Sequence, residues 1–151
     1  MSRNPKVLAI SSGGGHWIQL LRLRPALVDC KVTYATVRSS YSADVGDESF
    51  RVIRDANRWH KLNLIFSALD ILWLLLLVRP DVIITTGAAT GYFAARFGKW
   101  LGARVVWVDS MANAEELSMS GQKVSAFSDL LLTQWPHVAC AGGPQYVGGV
   151  L

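Results

Sequence analysis

The chain has 151 residues, 51% of them hydrophobic, which is enough for one sizeable core and predicts a single domain over 1–151. Fifteen basic against eleven acidic side chains give a formal net charge of +4, compatible with anionic partners, but the cations are spread singly and no basic run interleaves with aromatics, which argues against nucleic acid. The first five residues are too short and too polar for a secretory signal, and Cys30 and Cys140 match no metal or redox spacing, so a cytoplasmic protein with reduced thiols is expected.

The first predicted strand, Lys6–Ile10, runs into Ser11-Ser12-Gly13-Gly14-Gly15-His16-Trp17 and a helix over 16–28, which Pro25 interrupts because its ring cannot sit in a helix interior. Consecutive glycines let the backbone approach a ligand and adopt positive φ, and the free N–H groups of the following turn favour negative charge. Strand, glycine turn and helix in that order predict a polyanion or sugar cradle, with His16 where a titratable group meets what is bound. A second strand is predicted over 32–37 and a third over 50–53. Between them 38–49, with Ser, Gly and Asp and little to bury, reads as a mobile loop.

Residues 62–78, LNLIFSALDILWLLLLV, read as a helix interrupted only by Asn63, Ser67 and Asp70. A bilayer span needs about twenty mainly apolar residues, and a central carboxylate costs about 3 kcal/mol on insertion scales, so a full crossing is not expected. Two readings stay open: a core helix buried against a sheet, or a helix that meets lipid or a partner. Strands over 81–86, Arg104–Val108 and 129–133 follow, with helices over 88–101 and 120–127. Nearly all the strands lack polar alternation, as strands buried on both faces do. The alternation of strands and helices predicts an α/β fold, a parallel sheet with helices on both faces and ligands at its carboxyl edge.

Other turns fall on that edge. Thr85-Thr86-Gly87-Ala88-Ala89-Thr90-Gly91 follows the fourth strand, Asp109-Ser110 ends the fifth, and Ser118-Met119-Ser120-Gly121 comes shortly after. Each alone also reads as a plain turn or helix cap, and His16 as a residue that merely bonds its turn; their convergence on one rim argues for a site. A dinucleotide fingerprint fails, since Ile18 stands where a third glycine belongs and the second strand ends in Thr36-Val37-Arg38 without an acidic residue. A P-loop is excluded by the lack of Gly-Lys-Ser/Thr.

In order along the chain, SSGGGH, RPDVIITTGAATG, VDSMANAEELSMSGQ, DLLLTQWPHVA and YVGG resemble the motifs of the asparagine-linked-glycosylation-fourteen family, whose bacterial members include PssD-like exopolysaccharide proteins. The resemblance spans nearly the whole chain. It implies a Rossmann-like fold serving as the acceptor half of a split GT-B glycosyltransferase, related to the amino-terminal domain of MurG. A separate small donor-binding subunit would complete the enzyme, passing a sugar such as N-acetylglucosamine, often from a UDP-linked donor, to a polyprenyl-diphosphate-linked acceptor. No cofactor is implied, and the place of action is the inner face of the cytoplasmic membrane. Two departures stand out. The amino-terminal membrane helix of eukaryotic members is not found in this sequence, which would leave attachment to 62–78 or to the partner. Where the family shows Glu-Ser, an aromatic, Ala and Arg, this chain has Asp109-Ser110-Met111-Ala112-Asn113, losing a positive charge at Asn113.

Inverting sugar transfer needs a base for the acceptor hydroxyl and N–H-rich or positive surroundings for the leaving diphosphate. His16 is the first candidate base, and Asp109 the second or its orienter. Gly13, Gly14 and Gly15 are expected at the acceptor's diphosphate, with Ser12, Gly87, Ala88, Thr90, Ser110 and Ser118 completing the substrate side. No D-x-D pair is present, so no metal is expected. The run 134–151 is the expected docking surface for the donor-binding subunit through Gln134, Trp135 and Pro136, although Trp135 reads equally as a core residue closing the sheet. The competing function is a non-catalytic nucleotide- or lipid-binding Rossmann scaffold.

Overall fold

The computed structural model describes residues 3–56 and 61–150. Seven strands form one sheet in the order β3-β2-β1-β4-β5-β6-β7: β1 (Lys6–Ile10), β2 (Lys31–Thr36), β3 (Ser49–Val52), β4 (Val82–Thr85), β5 (Arg104–Val108), β6 (Leu130–Thr133) and β7 (Gln145–Tyr146). All six pairings are parallel. The helices are α1 (Gly15–Leu21), α2 (Lys61–Val78), α3 (Ala88–Trp100) and α4 (Met119–Val124). The expected Rossmann-like arrangement is the one found.

In-register parallel partners point to the same face. Leu8 pairs with Ile83, and Ile10 with Ala35; these pack beneath Ile71, Leu74 and Leu75 of α2 and Ala94 of α3. That layer continues through Val105, Trp107 and Leu131 under α3 and α4. On the opposite face Val7, Ala9, Val32 and Tyr34 are covered by Trp17 and Leu20 of α1 and by Leu27 and Val45. Side chains on Gly91 or Gly98 would run into Thr85 and Ile83, so these two glycines let α3 seat closely on the sheet.

Three expectations change. The first helix stops at Leu21, and the chain resumes as a 3₁₀ turn, Arg24–Leu27, with Pro25 in its first turn, where a missing N–H costs nothing. The stretch 38–49 is no mobile loop: it holds a 3₁₀ segment, Ser39–Asp44, strapped onto α1. The Tyr41 ring stacks on Trp17 at 5.3 Å with 3° between planes, and Trp17 Nε1 donates to Asp44 at 2.8 Å. The two-residue strand β7 is unforeseen, and the last helix is trimmed to Met119–Val124.

Helix α2 is a core helix on one face only. Ser67, Ile71, Leu74 and Leu75 are buried against the sheet, while Leu62, Ile65, Phe66, Leu69, Trp73, Leu76 and Leu77 are exposed. The helix is long and apolar enough to cross a membrane, with mean hydropathy 2.0, yet 22% of it is buried in the domain. Burying a Leu or Ile side chain is worth about 2 kcal/mol, so its inner face pins it to the sheet. Asp70, the one carboxylate, pairs with Arg54 at 3.3 Å, and that guanidinium lies 5.3 Å over the Phe66 ring.

Candidate functional site

The carboxyl ends of β1, β4 and β5 open onto a cleft of about 240 Å³, lined by His16, Gly87, Ala88, Asp109, Ser110, Asn113, Ser118 and their neighbours. Of the turns expected to converge, the fold brings His16, Gly87, Ala88, Asp109, Ser110 and Ser118 to this cleft, whereas Ser12, Gly13, Gly14, Gly15 and Thr90 are not part of its lining. His16 sits in the first turn of α1, with Nδ1 2.8 Å from the Thr86 carbonyl, while the Thr86 hydroxyl donates back to the His16 carbonyl at 2.7 Å. A carbonyl only accepts, so Nδ1 carries a proton in this bond, and Nε2 is the ring nitrogen left to face the cleft chemistry. Gly87 allows this approach: at φ 115° it is in glycine's territory, and a Cβ there would lie 3.3 Å from His16 Cε1.

Ala88, next in the chain, holds φ 64°, a left-handed conformation that costs a residue with a Cβ about 1–2 kcal/mol. It opens α3, whose first turn also carries Thr90. The Thr90 residue is 1% exposed and its hydroxyl has no partner, the single buried side-chain polar atom in that state among the described residues. Gly87 N–H donates to the Thr85 hydroxyl at 3.2 Å. The 13-residue α3 thus points a strained, incompletely satisfied amino terminus at the rim.

The glycine turn is quieter than its sequence suggests. Helix α1 has only seven residues, and Gly14 N–H is already taken by the Tyr41 hydroxyl at 3.1 Å. Ser12 is half-buried, its carbonyl accepting from the hydroxyls of Ser11 at 2.9 Å and Thr36 at 3.3 Å. Gly13, Gly14 and Gly15 form a tight passage with Gly14 at φ 68°.

Asp109 stands at the rim as expected, but its carboxylate is engaged elsewhere than on His16. It is 2% exposed, and its carboxylate accepts from Trp107 Nε1 at 3.0 Å, Ser118 N–H at 2.8 Å and the Ser118 hydroxyl at 2.6 Å. The His16 ring is oriented by Thr86, not by Asp109. Ser118 in turn caps α4, accepting from Gly121 N–H at 2.9 Å. A carboxylate with three donors is a knot that fixes the 110–118 loop over the cleft.

A second knot lies beside it and was not foreseen. Gln19, buried three residues after His16, donates to the Ser110 hydroxyl at 3.2 Å and accepts from Met111 N–H at 3.1 Å and Gln134 Nε2 at 2.6 Å. Gln134 Nε2 also reaches the Asp109 carbonyl at 3.0 Å, and its oxygen accepts from Val150 N–H at 3.2 Å. Gln134 is therefore corrected from docking side chain to internal clamp, at 8% exposed. Trp135 is half-buried and donates from Nε1 to the Met111 carbonyl at 2.8 Å; Pro136 is exposed and opens the 3₁₀ turn Pro136–Val138.

Comparisons with known proteins fit this geometry. Residues 48–150 match the family model described as oligosaccharide biosynthesis protein Alg14 like. The chain is 27% identical over 164 residues to the UDP-N-acetylglucosamine transferase subunit ALG14 of Yarrowia lipolytica, covering 90% of this chain and 76% of that one. The Schizosaccharomyces pombe subunit alg14 is 29% identical over 163 residues (88% and 77% covered), and the Homo sapiens subunit 25% over 162 (86% and 75%). In fold, the chain superposes on Acinetobacter baumannii MurG with TM-score 0.77 at 11% identity, covering 96% of this chain and 46% of MurG. A Rickettsia bellii UDP-N-acetylglucosamine 2-epimerase gives 0.73 at 12%, covering 98% and 46%. The chain thus spans just under half of each of these two larger proteins.

Proposed function

The chain belongs to the Alg14 family of oligosaccharide-biosynthesis proteins, and from that premise we propose that it is the acceptor-binding, membrane-recruiting subunit of a two-component transferase. The complex moves N-acetylglucosamine from a UDP-linked donor to a polyprenyl-diphosphate-linked acceptor; a small donor-binding subunit completes the cleft. Membership in the family and the relatives' activity support the sugar, and a fold matching half of a MurG chain supports the need for a second component.

The observation that carries the chemistry is the His16–Thr86 bond. By fixing the proton on Nδ1 it presents Nε2 as the base for the acceptor hydroxyl, the nucleophile that displaces the nucleoside diphosphate with inversion at the sugar. Asp109 holds the loop over the cleft and touches no substrate. Ala88, Ser110 and Ser118 in the cleft receive the acceptor, with the unpaired Thr90 hydroxyl in the first turn of α3 behind them and the backbone of Gly13–15 beside His16. The exposed stripe of α2 lies in the interface of the inner membrane leaflet, parallel to its plane, because the inner side of the same helix is committed to the sheet. The surface from Trp135 and Pro136 onward faces the partner.

Purified chain mixed with its donor-binding partner, UDP-N-acetylglucosamine and a polyprenyl-diphosphate acceptor tests this reading. Transfer by the pair and none by either chain alone is expected. Full activity of this chain alone, or no transfer by the pair with any diphosphate-lipid acceptor, overturns it. Vesicle flotation tests the helix: a Leu69→Ser, Trp73→Ser double variant should fold normally and stay in the aqueous fraction.

A further inference from the structure

We propose that Arg38 is the cation that grips the acceptor's diphosphate, an inference that rests on the reading above. Arg38 follows β2, the strand beside β1 on the side away from the cleft. Its side chain lies across the glycine turn: a Cβ at Gly13 would meet Arg38 Nε at 3.4 Å and Cδ at 3.6 Å. The arginine stem thus runs at van der Waals distance along the Gly13 backbone. Its root is held to the same turn, since Tyr41 N–H donates to the Arg38 carbonyl at 3.3 Å while the Tyr41 hydroxyl accepts from Gly14.

The guanidinium itself is exposed and forms no ion pair among the described residues, where the paired cations are Arg3, Arg54 and Lys99. A planar fork with free donors matches phosphate oxygens in pairs. The turn needs such a charge, because α1 is short and the Gly14 N–H is engaged, so its backbone alone offers a dianion little. The parts then read as a substrate: cleft and His16 for the sugar hydroxyl, Gly13–15 and Arg38 for the diphosphate, and the exposed Leu62 and Phe66 near the start of α2 for the beginning of the lipid.

A diphosphate is common to the lipid acceptor and the nucleotide donor, and the kinetics of the reconstituted pair separate them. Arg38→Gln should raise the acceptor KM about tenfold with the donor KM unchanged, and Arg38→Lys should recover part of the loss. Arg104→Gln, which removes the same charge at the opposite edge of the sheet, should change neither. An unchanged acceptor KM in Arg38→Gln overturns the proposal while leaving the transferase reading intact, and a rise in the donor KM alone reassigns the residue and also overturns it. Inorganic pyrophosphate binding to the full chain, measured calorimetrically, is independent of the reaction. Wild-type binding that weakens about tenfold in Arg38→Gln supports the anion site even if no transfer is found, and equal or undetectable binding in both counts against it.

Discussion

The two edges of the sheet use aspartate in opposite ways. At the amino edge, Asp81 accepts from the Lys6 N–H at 2.8 Å and from Arg3 at 3.0 Å, and Asp129 accepts from the Val105 N–H at 2.7 Å and from Lys99 at 2.7 Å. Each locks the start of a neighbouring strand, in solvent, with a cation at hand. The Lys6 N–H, with Arg3, holds the Asp81 carboxyl below its usual range, and Lys99, with the Val105 N–H, does the same for Asp129. At the carboxyl edge, Asp109 is buried among neutral donors and no cation touches it. At one edge the aspartates are paired and water-facing; at the other the scaffold is satisfied internally and, among the described residues, His16 Nε2 and the Thr90 hydroxyl have no partner. The edge where those two groups lie is the one proposed to bind and react.

The sharpest attempt to break this contrast is Asp109→Ala. It strands the Trp107 and Ser118 donors in a buried place, and a loss of about 3 kcal/mol in denaturant unfolding is expected; a cost under 1 kcal/mol would make Asp109 no different from its amino-edge counterparts. His16→Ala should leave that stability unchanged and slow transfer by the pair about a hundredfold, the usual contribution of a general base, whereas retention of more than about a tenth of the rate would remove His16 from the role.

Much of this was legible in the sequence, and the omissions have a common cause. Strands such as Val7-Leu8-Ala9-Ile10 and Val82-Ile83-Ile84 announce two-sided burial, and the glycine turn announces the rim, because both signals are local. Tyr41 and Asp44 sit in a polar stretch whose order comes from partners at least twenty positions earlier, Trp17 above all, with Gly14 and Arg24. Gln19 on a short helix looks like a solvent-facing polar residue until the loops after β5 and β6 close around it. Gln134, beside an aromatic and a proline, looked like docking surface for the same reason. Arg38 carries no motif of its own; only its lie across Gly13 distinguishes it.

Two smaller tests refine the contrast. Thr90→Val replaces an unpaired buried hydroxyl with a methyl of the same shape, so stability should hold or rise by up to about 1 kcal/mol while acceptor KM increases severalfold; a matching loss of stability would show the hydroxyl to be structural. Asp129→Asn should cost under about 1 kcal/mol at neutral pH, as exposed pairs do. Because the native Asp129 carboxyl titrates below its unfolded value, its contribution is complete above about pH 4 and fades as pH falls through the native value. Melting curves of wild type and variant should therefore converge in acid, and a gap that widens there would reverse the assignment.

Parallel pairing imposes an order of events on biosynthesis. Val7 of the central strand is joined on one side by Val32 but on the other only by Val82, which leaves the ribosome after all of α2. Leu8, Ile10 and Ala35 are made before Ile71, Leu74 and Leu75, but Ile83 and Ala94, which close the same cluster, come after the helix, so its inner face is completed late. On the proposed membrane reading, a bilayer beside the translating ribosome would meet the outer stripe of α2 before the sheet has closed beneath the helix.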